Sequence, residues 1–159
     1  MFKVGDKVLC PMHGAGYIES ITRKETEGGE IDVYFVRLLG GLKLTIPETI
    51  ADSSHMREII EKETALSVIE GFEALETDFD DNWSKRYKEN IERIKSGDAH
   101  EVSRVYKYLC LRNVTKGLSA GERKMYQTAR QILLSELSMA LDTDKSEIEK
   151  RLSDMLRRN

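Results

Sequence analysis

Ile31-Asp32-Val33-Tyr34-Phe35-Val36-Arg37-Leu38, closed by Gly40-Gly41 and followed by Leu42-Lys43-Leu44-Thr45-Ile46-Pro47, is the stretch that decides the fold. Five of the first eight residues, Ile31, Val33, Tyr34, Phe35 and Val36, are β-branched or aromatic, and the eight read as the strongest strand of the chain. The glycine pair turns the chain, and Leu42 to Ile46 alternates apolar and polar with the period of a half-buried strand. Working back toward the N-terminus, Gly28-Gly29 marks a hairpin turn. Tyr17-Ile18-Glu19-Ser20-Ile21-Thr22 is β-rich with partial alternation, and Pro11-Met12-His13-Gly14-Ala15-Gly16 is a turn-rich stretch after the short strand Lys7-Val8-Leu9-Cys10. Four or five short strands joined by glycine turns predict a small closed barrel, because closure removes exposed strand edges.

No proline follows Pro47, and from about Ser53 the apolar period becomes helical. Ile59 and Ile60, then Leu66, Val68, Ile69 and Phe72, predict two short helices. Tyr87, Ile91 and Ile94 form an i, i+4, i+7 stripe. Val102, Val105, Tyr106 and Leu109 form another, as do Met125, Ala129, Ile132, Leu133, Leu137 and Ala140, and finally Ile148, Leu152 and Met155. Asp81 or Asn82, Asp98 with Glu101, Ser119 with Glu122, and Asp144 with Glu147 stand where side-chain oxygens cap orphan amides. Gly97 and Gly117 fall where helices end in left-handed geometry. The fold expected is therefore α+β in two domains: a β-barrel over 1–52 and a bundle of about five α-helices over 53–159.

Composition narrows function by exclusion. The 159 residues are 40% hydrophobic and 33% charged, and no apolar run approaches the roughly 18 residues that span a bilayer. With no secretory h-region at the start, a cytoplasmic protein without membrane contact is expected. Cys10 and Cys110 are expected as reduced thiols. Cys10-x-x-His13 has metal-ligand spacing but no second pair, so no metal is expected. No phosphate loop, nucleophile elbow or His-Glu-x-x-His occurs, so neither an enzyme nor a bound cofactor is expected.

The net charge of −3 hides a segregated pattern. Residues 51–81 carry two basic and ten acidic side chains, whereas residues 82–130 carry twelve basic and five acidic ones. The basic group Arg104, Lys107, Arg112, Lys116, Arg123, Lys124 and Arg130 is either a set of solvated helix faces or a polyanion surface, and its net excess favours the latter. Asn82-Trp83-Ser84-Lys85-Arg86-Tyr87-Lys88 holds the sole tryptophan at a helix start among cations. Helix N-terminal amides favour phosphate oxygens, and an exposed aromatic there wedges between unstacked bases. Spacing alone favours the opposite reading, with Trp83 at i−4 from Tyr87 packed in a core.

The assembled residues resemble the CarD/CdnL family of bacterial transcription regulators. Phe2-Lys3-Val4-Gly5-Asp6-Lys7-Val8 is similar to its start, and Pro11-x-His13-Gly14-Ala15-Gly16 to its first turn. Asn82-Trp83-Ser84-Lys85-Arg86-Tyr87-Lys88 and Ser96-Gly97-Asp98 are similar to its middle. Gly117-Leu118-Ser119-Ala120-Gly121-Glu122-Arg123-Lys124-Met125 with Ala129-Arg130-Gln131-Ile132-Leu133 is the most specific segment. The resemblance covers essentially the whole chain, in order. It implies a Tudor-like barrel that binds the RNA polymerase β subunit, a module shared with transcription-repair coupling factors, and a helical part on promoter DNA near the −10 element, at the upstream edge of the melted region.

By the same resemblance the residue matching Trp83 inserts at the minor groove, and Lys85, Arg86, Lys88, Arg123 and Lys124 match positions near backbone phosphates. Lys43, Leu44, Thr45, Ile46 and Lys24 match the polymerase-binding surface. Related proteins can carry arginine where this chain has Thr45, which shifts the expected contact toward backbone pairing and shape. The function expected is a monomeric regulator that stabilises the promoter open complex. The alternative is a protein–protein adaptor of the transcription machinery that uses the acidic stretch 70–81 and touches no DNA. A steep loss of affinity with salt separates the two.

Overall fold

The computed structural model describes residues 1–157, and the N-terminal part is a five-stranded antiparallel sheet. Strands β1 (Lys7–Cys10), β2 (Gly14–Thr26), β3 (Gly29–Leu38), β4 (Lys43–Pro47) and β5 (Arg57–Glu58) lie in the order β4-β3-β2-β1-β5. The partial alternation of β2 has a physical cause. Ile18 pairs with Val36 but Ser20 pairs with Phe35, so Glu19 is an extra residue in a β-bulge. The bulge lets both Ile18 and Ile21 face the barrel core despite their i, i+3 spacing. That core contains Val8, Cys10, Ile18, Tyr34, Val36, Leu38, Ala51 and Met56. Gly16 is obligatory, since a Cβ there would lie 2.2 Å from the Arg37 carbonyl oxygen of the paired strand.

The barrel is not closed by a ladder between its end strands β4 and β5. Helix α1 (Glu48–Ser53) bridges them and contributes Ala51 to the core. Its first residue also ties back to β3, where the Asp32 amide donates to Glu48 Oε1 at 2.8 Å. The sheet continues beyond residue 52, because β5 pairs with β1 at Val8↔Glu58 and Leu9↔Arg57. Ile59 and Ile60 therefore do not begin a helix. The Ile59 amide donates to the Lys7 carbonyl and the Ile60 amide to Glu136 Oε2.

Five helices follow: α2 (Lys62–Gly71), α3 (Trp83–Lys95), α4 (Ala99–Thr115), α5 (Ala120–Leu141) and α6 (Lys145–Arg157). Their starts are set by local hydrogen bonds. Asn82 accepts from the Lys85 amide, and Asp98 from the His100 and Glu101 amides. Ser119 and Glu122 form a reciprocal capping box. Gly97 and Gly117 adopt φ of +71° and +78°, the left-handed geometry that ends a helix without a Cβ penalty.

The two parts share a core. Leu9 and Ala15 of the sheet belong to the cluster formed by α2, α4, α5 and α6. The Ala15 amide donates to Ser135 Oγ of α5 at 2.9 Å. Beside it, Arg57 of β5 forks onto Glu136 of α5. The central helix α5 thus packs on the sheet and on the bundle at once, which fixes the orientation of one part relative to the other.

Neither cysteine pairs in a disulfide. Burial pushes the Cys10 thiol up to about 12 and the Cys110 thiol up to about 11. Only the thiolate is the nucleophile. In the folded protein at pH 8, iodoacetamide is expected to label both residues at least tenfold more slowly than in urea, with mass spectrometry giving the rates.

Candidate nucleic-acid interface

The segment between α2 and α3 is acidic and is held down by cations from the bundle. Lys107 Nζ, inside the fold, donates to the carbonyls of Glu73 at 2.6 Å and Leu75 at 3.0 Å. Its loss of hydration pulls the ammonium pKa down. Arg104 donates to the Glu76 carbonyl and pairs with Glu101. Phe79 is clamped between the guanidinium of Arg93, 4.3 Å from the ring centroid, that of Arg104 at 5.2 Å, and the ring of Tyr108.

This clamp revises the basic surface expected from composition. Lys107 is buried, Arg104 is tied to the acidic segment, Arg112 pairs with Glu122, and Arg130 forks onto Glu149. Charge counted along the sequence does not reveal which cations already have carboxylate or carbonyl partners. Lys116, Arg123 and Lys124 remain as exposed members of that group, without ion pairs among the described residues.

Arg86 is also placed differently from a phosphate contact. It is 5% exposed, donates to the carbonyls of Asp80 and Asp81 at 3.2 Å, and lies 3.8 Å from Glu122 Oε2. Glu122 is itself 4% exposed and is shared with Arg112. Arg86 therefore fixes the turn that carries Trp83 and joins the N-termini of α3 and α5. Asn90 and Ile94 continue its buried face at i+4 and i+8.

Trp83 is 45% exposed, which corrects the core-packing reading. The i, i+4 relation to Tyr87 is real, but it produces a stack: the rings are 5.1 Å apart at 20°. Tyr87 in turn lies against Gly121, where a Cβ would approach its ring to 3.2 Å. A glycine at the start of α5 thus lets that helix abut the Trp83–Tyr87 pair. Arg123 and Lys124 project from the same first turns of α5 and are exposed. Lys88 is exposed, and Lys85 is exposed but paired with Asp80 at 3.2 Å. That carboxylate holds the Lys85 ammonium above its usual pKa. The structure thus gathers Trp83, Lys85, Lys88, Arg123 and Lys124 around two adjoining helix N-termini and takes Arg86 inside.

The second set of expected contacts lies on the sheet. Along β4, Leu44 and Ile46 point toward the barrel core while Lys43 and Thr45 are exposed. β4 is an end strand, paired with β3 alone. Leu44, Thr45 and Ile46 open onto a cavity of about 220 Å³ shared with Ile50, His13 and Met56. Lys43 Nζ lies 4.0 Å from Glu19, which also pairs with Arg37. Lys24 sits apart, exposed on the β2–β3 ribbon opposite Ile31. Among the described residues there is no cluster of three or more metal-ligating side chains, and no helix is long and apolar enough to cross a membrane.

Comparison with known proteins follows the same division. The family described as "CarD-like/TRCF RID domain" matches residues 2–60, ending just after β5, and "CarD, C-terminal domain" matches residues 67–153. A Bacillus subtilis (strain 168) protein named "Putative transcription factor YdeB" is 32% identical over 150 residues, covering 94% of this chain and 98% of the relative. With both parts matched in order and the relative aligned over almost its full length, the chain belongs to the CarD family of non-enzymatic transcription regulators.

Proposed function

We propose that this protein is tethered to the β subunit of RNA polymerase by its N-terminal sheet and stabilises the promoter open complex with its helical part. The observation that carries the proposal is the half-exposed Trp83, stacked on Tyr87 at the start of a helix that also carries the exposed Lys85 and Lys88 and that abuts the start of α5, where Arg123 and Lys124 are exposed. An aromatic face among cations meets bases and phosphates together. In this reading the cations rest on backbone phosphates at the upstream edge of the bubble, near the −10 element, and Trp83 occupies the distorted step there. Its preference for unwound over closed duplex shifts the equilibrium by that difference in affinity. Tethering raises the local concentration of the helical part at DNA, so modest contacts suffice. The protein works as a monomer in the cytoplasm, alongside polymerase.

On the polymerase side, the exposed Lys43 and Thr45 on an end strand support a contact made by strand addition, with Leu44 and Ile46 behind it. Lys24 would add a charged contact from the neighbouring ribbon. Lys43→Glu combined with Thr45→Glu leaves the core untouched. In the full-length chain this pair is expected to lower retention of purified polymerase on immobilised protein about tenfold. Retention equal to the parent would remove β4 from the contact.

A further inference from the structure

An open groove of about 720 Å³ is lined by Trp83, the 77–81 turn and the C-terminal half of α4. This is within the roughly 300–1,000 Å³ of small-ligand clefts. Tyr87 covers one face of the indole and is absent from the groove wall, so the groove is bounded by the part of Trp83 that Tyr87 leaves free. Tyr108 and Leu111 give it an apolar floor. Arg112 and Lys116 line it from the end of α4, and Asp80 and Asp81 from the turn before α3. The Arg112 side chain makes no hydrogen bond among the described residues. Its Nε is buried without an acceptor, and its one partner is Glu122 in an ion pair at 3.5 Å.

The chemistry of these walls selects a ligand. Asp78, Asp80 and Asp81 in one groove repel a phosphate. A nucleobase is flat, stacks on an indole whatever its identity, and carries both donors and acceptors on its edge. Arg112 and Lys116 offer donors for the base acceptors, and the two aspartates accept from exocyclic amino groups. The phosphates attached to such a base would lie outside, toward Lys85, Lys88 and the first turns of α5. We propose that this groove is a receptor for one unpaired nucleobase, which extends the Tyr87–Trp83 stack by a third ring. This rests on the reading that the Trp83 face meets DNA, and it adds that the protein captures an extruded base, beyond filling the gap a base leaves. The base belongs either to a DNA strand or to a free nucleotide.

Trp83 is the sole tryptophan, so quenching of its fluorescence reports occupancy of the groove directly. The full-length chain is titrated with a fork-junction DNA carrying one unpaired adenine beside the duplex, with the same fork abasic at that position, and with free dAMP. Thr115→Phe fills the groove from an exposed position of α4. The unpaired adenine is expected to tighten binding about tenfold over the abasic fork, and Thr115→Phe to erase that difference while leaving the abasic fork bound as before. Equal affinity for the two forks in the parent protein overturns the groove assignment and leaves the DNA-binding reading standing. If neither fork binds but dAMP quenches and Thr115→Phe abolishes the quenching, the receptor stands with a free nucleotide as its ligand. If no probe binds, the receptor falls, and the DNA reading, whose contacts are made under tethering to polymerase, is decided by footprinting of the polymerase–promoter complex.

Discussion

Replacing Arg57 with alanine is expected to destabilise the protein by about 3 kcal/mol, more than any surface ion pair contributes. Glu136 is only 2% exposed, and its carboxylate accepts from both Arg57 nitrogens, at 2.6 and 3.0 Å, and from the Ile60 amide at 2.9 Å. The same guanidinium donates to the carbonyls of Glu58 and Gly97. One side chain therefore joins β5, the α3–α4 corner and α5. Removing it leaves a carboxylate inside the protein with a single amide to satisfy it, and uncompensated buried charge is the expensive outcome. Arg57 keeps about a third of its side chain in water, so the expected loss sits at the lower end of the range for buried pairs. In urea the midpoint should fall by about 1.5 M at an unchanged m-value. Replacing both residues, Arg57→Met with Glu136→Leu, should recover most of the loss. A fall under about 0.5 M for Arg57→Ala would mean that the pair behaves as a solvated surface contact, and the rigid junction between the two parts would lose its main support.

Trp83→Ala has the opposite profile, a large functional effect with a small structural one. The indole packs mainly against Tyr87, so its removal should lower stability by about 1 kcal/mol or less. Base–aromatic stacking is worth about 1–3 kcal/mol, and that term would disappear from the open complex alone. The lifetime of polymerase–promoter open complexes challenged with a competitor is expected to shorten about tenfold relative to the parent protein. Trp83→Phe should restore part of it, and polymerase retention should stay the same. An unchanged lifetime with intact folding would remove Trp83 from the mechanism. A collapse of folding would return it to the structural role that its spacing first implied.

The caps at Asn82, Asp98 and Ser119 and the left-handed Gly97 and Gly117 were legible in the sequence, because each depends on local backbone chemistry, whereas the short helix α1 directly after Pro47 was not, since the helical period was read only from about Ser53. β5 was not, since two residues carry no period and form a strand only because β1 has a free edge to pair with. The i−4 spacing of Trp83 from Tyr87 was read correctly as contact and wrongly as burial. At the first turn of α3 the buried face is that of Arg86, Asn90 and Ile94, and the aromatic pair lies beside it. Arg86 and Lys107 counted as surface charge in the sequence. Backbone carbonyls of the 73–81 segment take them out of solvent, and those acceptors have no signature in residue type. The coupling of sheet to bundle was equally hidden. Glu136 in α5 looks like any helix-surface glutamate until Arg57 is placed opposite it.

Hydroxyl-radical footprinting of initiating polymerase–promoter complexes, with and without the full-length protein, addresses the central claim most directly. Added protection confined to the backbone at the upstream fork of the bubble, and weakened by Trp83→Ala together with Arg123→Gln, is the predicted result. A cleavage pattern identical with and without the protein, under conditions where it is retained on polymerase, would contradict it.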